Sequence, residues 1–214
     1  MSGPGTGRRA LVTGAGGGIG RAAALRLAEE GYRLVLVDLK EAPLNETLGA
    51  LPERTDALTA VLSITDRAAV SALIGGLDRL DVLVNNAAIF WDGKFDDHTE
   101  DDFRKMYEVN VIGTFVMSQE AIKRMGEGGR IINIASRAYL AGYAHAAYGT
   151  SKAGVIGLTR SMSMDLAGRR IMVNAIAPGL IETEMFRSLT PERQEELIAK
   201  QPTKMLGHPE DIAN

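Results

Sequence analysis

Short runs of β-branched and aliphatic residues alternate along the chain with longer stretches of helical periodicity. Ala10-Leu11-Val12-Thr13 reads as a first strand and runs into a Gly-rich turn. A helical pattern from Ile19 to Glu30 stops at Gly31, a residue suited to end a helix. Arg33 to Asp38 carries the unbroken apolar run Leu34-Val35-Leu36-Val37, which fits a strand covered on both faces. A weak helix is expected over 41–51, interrupted by Pro43 and Gly49. Further strands are expected at 58–62, 82–84, 130–134 and 171–175, with helices at 67–77 and 147–166. Thr99 followed by Glu100-Asp101-Asp102 predicts a helix start, a hydroxyl cap with acids in the first turn. That helix should run to Met125, bent near Asn110.

Parallel neighbouring strands need crossovers of about a dozen residues or more, and this spacing supplies them. Right-handed crossovers then predict an α/β fold: a three-layer, doubly wound, Rossmann-like parallel sheet flanked by helices. No repeat or linker divides the 214 residues, so a single domain is expected. Thr190-Pro191 opens a helix expected to run to Lys200, with Glu192, Arg193, Glu195 and Glu196 as a solvated face. Pro209 to Asn214 starts another helix so near the last residue that it is expected to bury nothing. A frayed tail or a chain cut short is the expectation there.

Charge narrows the picture. Against 24 Lys and Arg stand 27 Asp and Glu, a net −3, so no basic field favours nucleic acid or an anionic membrane. The longest uncharged stretch, 138–151, has 14 residues and several polar ones, too short for a bilayer. No signal-like segment opens the sequence. Zero Cys excludes disulfides and cysteine nucleophiles and suits a reducing compartment, so a soluble, cytoplasmic protein is expected. Three scattered His argue against a transition-metal site.

Thr13-Gly14-Ala15-Gly16-Gly17-Gly18-Ile19-Gly20 lies between a predicted strand and a predicted helix. Glycines there allow a tight turn and close approach of a phosphate, and the helix N-terminus offers free N–H groups. Asp38 ends the second strand 24 residues after Gly14. A carboxylate at that place accepts from ribose hydroxyls and repels a 2′-phosphate, which selects NAD over NADP. Tyr148 and Lys152, four apart on a helix, share one face. A free tyrosine titrates near about 10, and an adjacent ammonium would lower that value toward the working range of an acid–base group.

Thr13-Gly14 through Gly20, Asn85-Asn86-Ala87, Asn110, Ser136, Tyr148-Gly149-Thr150-Ser151-Lys152 and Asn174-Ala175-Ile176-Ala177-Pro178-Gly179 occur in order. Together they resemble the short-chain dehydrogenase/reductase superfamily in its single-domain form, over residues 8–214. The resemblance implies that Tyr148 is the general acid/base, with Lys152 binding nicotinamide ribose and depressing the Tyr148 pKa. It makes Ser136 the hydrogen-bond partner of the substrate oxygen and has Asn110 hold a relay water. Gly14, Gly18, Ile19 and Gly20 would take the diphosphate, with Asn86 along the adenosine ribose. Pro178, Gly179, Ile181 and Thr183 would cover the nicotinamide. The implied activity is NAD-dependent exchange of hydride with a secondary alcohol or ketone. Alternatives are an NADPH-dependent 3-oxoacyl-thioester reductase and a nucleotide-binding protein without turnover.

Three departures stand out. Ala88 replaces the usual Gly after Asn-Asn-Ala, tolerable where φ is negative. Ser63-Ile64 replaces the usual Asp-Val beside adenine. Family members also continue past the Pro209 helix into a seventh strand, which would leave the sixth as an edge. Phe90, Trp91, Tyr139, Leu140, Tyr143, His145, Met185, Phe186 and Met205 are expected around a compact apolar substrate. His145 is expected to be a polar turn residue, and His98 and His208 surface residues. Surplus apolar positions, namely Val111, Ile112, Phe115, Val116, Val155, Ile156 and Leu158, point to a homodimer or homotetramer through paired helices.

Overall fold

The computed structural model describes residues 7–140 and 144–214. Six parallel strands form its sheet: β1 Arg9–Thr13, β2 Arg33–Asp38, β3 Ala57–Val61, β4 Val82–Asn85, β5 Arg130–Ile134 and β6 Met172–Ile176. Their order is β3-β2-β1-β4-β5-β6. Every pairing is parallel, with Leu11 set against both Val35 and Leu83. The connection reverses direction between β1 and β4, the position at which doubly wound sheets open a crevice at the carboxyl ends of their strands.

Alternation along the strands divides the core. Leu34 and Leu36 pack with Ala10, Val12, Val82 and Val84 beneath α1 Gly18–Glu29 and α2 Glu41–Ala50. Val35 and Val37 pack with Leu11, Leu83 and Ile131 against α3 Arg67–Gly75 and α5 Thr114–Ala121. Successive strand residues face opposite layers, so an uninterrupted apolar run satisfies both. At the fully buried scale of about 1.5–3 kcal/mol per aliphatic side chain, these two layers dominate the favourable side of folding.

The Pro43 and Gly49 interruptions expected in α2 do not occur. Pro43 falls in the first turn, where a missing N–H costs no helical bond. The long helix after Thr99 is bent as its sequence indicates. It divides into α4 Glu100–Tyr107, a π-helical turn from Glu108 to Gly113, and α5, which stops at Ala121 short of Met125. Thr99 caps α4, accepting from the Asp102 N–H while Asp102 accepts from the Thr99 N–H. The remaining helices are α6 Ala146–Leu166, α7 Glu184–Arg187, α8 Pro191–Ala199 and α9 Pro209–Ala213.

Two tail expectations are corrected. Short α9 is not frayed: it lies against α1, and Ile212 packs onto the core under it. Arg193 is not on a solvated face, because its side chain is only 11% exposed and paired with Asp92. The surplus read in the two central helices is also smaller than expected. Val111, Val116 and Val155 are core residues, whereas Ile112 and Phe115 remain exposed.

A polar thread crosses the buried face of β4 and β5. Asn85 Nδ2 donates to Ser118 Oγ at 2.9 Å and to Asn133 Oδ1 at 2.8 Å, and Asn133 Nδ2 donates to Thr159 Oγ1 at 2.8 Å. These bonds tie α5 and α6 to the strands just below the crevice.

Candidate active site

The crevice at the strand ends has a volume of about 590 Å³. Its floor begins at the turn after β1. Gly14 has φ +63° and Gly18 φ +50°, the left-handed region that favours glycine. Gly20 does not line the crevice; a Cβ on it would lie 2.0 Å from the Gly14 carbonyl oxygen, so it seats α1 against the turn. The turn is braced from outside. Thr47 Oγ1 donates to the Ala15 carbonyl at 2.8 Å, and Arg21 donates to the Gly16 carbonyl at 2.6 Å. Sequence reasoning missed Arg21 and Thr47, which no motif marks.

Asp38 stands at the far end of the crevice. Its carboxylate accepts the Gly16 N–H at 2.9 Å and the Lys40 N–H at 3.1 Å. Ser63 and Ile64 line the wall beside it, with the Ser63 hydroxyl 2.8 Å from that of Thr65. Asn86 lines the crevice while its amide donates to the Thr13 and Gly14 carbonyls at 3.0 and 3.1 Å. Thr13 Oγ1 accepts the Asn86 and Ala87 N–H groups, both at 3.0 Å, which locks β1 to the β4 exit. Ala88 is absent from the positive-φ residues, so its methyl is accommodated as the sequence indicates.

At the other end α6 brings Tyr148 and Lys152 to the wall with Ser136 from the β5 exit. The Ser136 side chain stands beside the Tyr148 hydroxyl and favours the phenolate. Burial outweighs the Ser136 contribution and pushes Tyr148 up to about 12. Burial also drives Lys152 down to about 8. The lowering of Tyr148 expected from Lys152 is therefore not what the protein by itself does. The ammonium donates to the Ile134 carbonyl at 2.8 Å and lies 5.7 Å from the Tyr148 ring centroid.

Asn110 lies behind this wall rather than in it. Its Oδ1 accepts the Ile89 N–H at 2.8 Å, and its Nδ2 donates to the Ile89 carbonyl at 3.0 Å and to Ser151 Oγ at 2.9 Å. Its side chain braces the site. Pro178, Gly179, Ile181 and Thr183 border the crevice from the β6 side, held there by the Arg137 N–H, which donates to the Pro178 carbonyl at 2.9 Å.

The substrate end differs from expectation in detail. Phe90, His145, Met185 and Phe186 line it, joined by Leu180, Leu189, Leu197, Lys200 and Gln201. Trp91, Tyr139, Leu140 and Met205 do not. Leu140 and Met205 are 70% and 69% exposed, and Trp91 packs edge-on against His98 at 4.5 Å. Tyr143 lies outside the described residues. His98 is not a surface residue: both ring nitrogens are buried between Trp91 and Phe103. His208 is exposed, as read from the sequence. His145 is more than a turn residue, since its ring forms part of the crevice wall.

The geometry fits a dinucleotide. Turn amides at a helix N-terminus suit a diphosphate. An acid at the second strand suits a ribose, and a phenol with an amine suits the reacting end. Among the described residues, no group of three His, Asp or Glu side chains is arranged to hold a metal ion. No helix among them is long and apolar enough to cross a membrane.

Comparison with known proteins agrees. The chain is 40% identical over 214 residues to the (2S)-[(R)-hydroxy(phenyl)methyl]succinyl-CoA dehydrogenase subunit BbsD of Thauera aromatica, covering 97% of this chain and 86% of that protein. It is 37% identical to the 3-oxoacyl-[acyl-carrier-protein] reductase FabG of Rickettsia felis, covering 98% of this chain and 87% of the other. A short chain dehydrogenase from Burkholderia cenocepacia, solved in complex with NADP, superposes with a TM-score of 0.88 at 33% identity over 98% of this chain and 88% of its own. The family model described as short chain dehydrogenase matches residues 8–194. With the sheet order, the crevice and these relatives in agreement, the chain belongs to the short chain dehydrogenase family, nicotinamide-dependent oxidoreductases acting on CH–OH and C=O groups.

Proposed function

We propose that the protein is an NAD(H)-dependent oxidoreductase that interconverts a secondary alcohol and a ketone, with Tyr148 as general acid/base. The observation that carries this reading is the convergence of Ser136, Tyr148 and Lys152 on one crevice wall, with the Lys152 ammonium 5.7 Å from the Tyr148 ring centroid. Hydride exchange at the substrate carbon is the chemistry a nicotinamide supplies when bound there. Ser136 orients the substrate oxygen. Tyr148 gives its proton to the alkoxide that develops during reduction and takes it back during oxidation. Phenolate formation in a buried site is costly, and the Ser136 hydroxyl reduces that cost. Asn110 holds Ile89 and Ser151, keeping α6 in register with the β4 exit.

Asp38 supports NAD. Its carboxylate lies on the crevice wall at the position where a 2′-phosphate would bring two negative charges together. The NADP bound by the Burkholderia protein belongs to that protein. A second reading has specific support: two relatives, BbsD and FabG, bear names of acyl-thioester enzymes. A 3-oxoacyl or 3-hydroxyacyl thioester is thus the first substrate class to screen. A scaffold role without turnover has no use for Ser136, Tyr148 and Lys152 side by side. The exposed pair Ile112 and Phe115 supports a homodimer or homotetramer, and the Cys-free sequence suits the cytoplasm.

The test is Tyr148→Phe. Turnover of secondary alcohols and 3-oxoacyl thioesters, followed by NADH absorbance, should fall about 10²–10⁴-fold while NADH binding persists. Undiminished turnover in the variant would remove Tyr148 from the mechanism.

A further inference from the structure

Three side chains from three segments meet beside the reacting end of the crevice. Arg193 of α8 grips Asp92 through two bonds, Nε to Oδ2 at 3.0 Å and a terminal nitrogen to Oδ1 at 3.1 Å. Asp92 Oδ1 also faces His145 Nδ1 at 3.2 Å, off the line of a hydrogen bond. His145 immediately precedes α6, three residues before Tyr148, and its ring lies 5.3 Å from Phe90. Phe90 in turn stands edge-on to Tyr148 at 4.9 Å. All three members of the chain are largely buried, with side-chain exposures of 11%, 20% and 14% for Arg193, Asp92 and His145.

Burying a carboxylate, a guanidinium and an imidazole is expensive unless each is committed to a partner. Asp92 and Arg193 are committed to each other. His145 is not: its Nδ1 is buried without a hydrogen bond, and its ring lines the crevice. With a carboxylate oxygen 3.2 Å from Nδ1, electrostatics favour the ring proton on that nitrogen even without an aligned bond. Burial holds the imidazole below its ordinary range, helped by Arg193 and His98 and opposed by Asp92. The neutral ring therefore offers Nε2 as an acceptor.

From this we propose that His145 is a specificity-determining contact: its Nε2 accepts a hydrogen bond from a hydroxyl on the substrate next to the reacting carbonyl, and the Asp92–Arg193 pair sets the charge beside the ring while docking α8 over the same end of the crevice. This rests on the function proposed above and adds to it a substrate class, hydroxylated ketones and their diols. Met185 and Phe186 of α7 and Leu197 of α8 make much of the facing wall apolar, with Glu184, Lys200 and Gln201 as its polar members, so an acceptor beside Tyr148 adds discrimination.

Acetoin and 2-butanone differ by one hydroxyl beside the carbonyl and serve as probes. The wild-type kcat/KM should favour acetoin at least ten-fold, and His145→Ala should bring the two within about two-fold, chiefly by raising KM for acetoin. Asp92→Asn should narrow the preference partially. Arg193→Met should speed amide hydrogen exchange across residues 191–199 several-fold, a readout independent of turnover. Binding of both probes to NADH-loaded Tyr148→Phe protein, followed by nicotinamide fluorescence, separates the two levels of inference. A preference in binding that disappears in the Tyr148→Phe/His145→Ala double variant supports the contact even where turnover is absent, in which case only the proposed function fails. Equal binding and equal kcat/KM for the two probes in the presence of His145, or a preference that survives His145→Ala, overturns the proposal.

Discussion

Asn110 and Ile89 are hydrogen-bonded in both directions, the side-chain amide of one closing on the backbone N–H and carbonyl of the other. The π-helical turn makes this possible, because it brings a buried Asn out of the helical ladder against the strand exit. Asn110→Ala would remove the side-chain partner of the Ile89 N–H and carbonyl and one donor to Ser151 Oγ, which keeps its bond to the Tyr148 carbonyl. An unsatisfied buried polar group costs about 1–3 kcal/mol. Water can enter and repair part of the loss, so a fall in Tm of about 4–10 °C is expected by calorimetry. Asn110→Asp should do no better, since a carboxylate cannot donate to the Ile89 carbonyl. Unchanged melting in both variants would show that the bond pair contributes nothing to stability.

Lys152 and Tyr148 predict how stability depends on pH. Lys152 titrates at about 8 in the folded protein, below the ordinary 10.5. Between those values the unfolded chain binds the extra proton, so stability rises as pH increases from about 8 to 10.5. Tyr148 titrates at about 12, above the ordinary 10. Its contribution is fully present below pH 10 and is lost as pH rises through about 12. Urea unfolding at pH 7.5, 9 and 10 should show the rise, and Lys152→Met should flatten it whatever its effect on absolute stability. An equal slope in the variant would mean that Lys152 is not desolvated.

The strands, their parallel order and the main helices were legible because buried apolar runs and helical periods are local signals. The glycine turn and Asp38 were legible from their place after predicted strands, and Ser136, Tyr148 and Lys152 from the ordered family motifs, and all of them meet in one crevice. Other features depend on contacts that no local pattern records. The docking of α9 rests on Ile212 meeting α1, far away in sequence. Arg193 looks solvated in a run of acids, yet its partner Asp92 lies 101 positions earlier. His98 was misjudged for the same reason, since Trp91 and Phe103 enclose it only after the loop folds. The Tyr148 pKa was misjudged because charge proximity can be read from spacing whereas the depth of burial cannot.

Asp38 gives a sharp test of cofactor choice. Leu39, the next residue, borders the crevice and is 65% exposed, so a cation placed there would meet a 2′-phosphate without disturbing the core. Asp38→Ala with Leu39→Arg should shift the ratio of kcat/KM for NAD to that for NADP by at least 100-fold toward NADP, about 3 kcal/mol by the tenfold-per-1.4 rule. Part of the loss with NAD should come from the Gly16 N–H, which gives up its carboxylate acceptor. Titration of both cofactors by steady-state kinetics reads the shift. If the ratio does not move, Asp38 is not the selector, and the choice lies in the turn itself.

Phe115 and Ile112 test assembly. Each is 39% exposed, Ile112 on the π turn and Phe115 on α5, whereas the neighbouring Val111 and Val116 are buried. The inner face of these helices is already packed, and the outer face leaves Ile112 and Phe115 partly exposed, with the Arg67 guanidinium 5.7 Å from the Phe115 ring centroid. A second copy with its own Phe115 would cover them by two-fold symmetry, each patch meeting itself. Phe115→Asp places a charge where two copies would meet, and a like charge opposite it from the partner doubles the penalty. Light scattering should therefore report a dimer or tetramer for the wild type and a mass near one chain for the variant. Circular dichroism should stay unchanged, because the substituted side chain is outside the core. A wild-type protein that already runs at the mass of one chain would remove the basis for the interface, and an assembled Phe115→Asp variant would move it to another face.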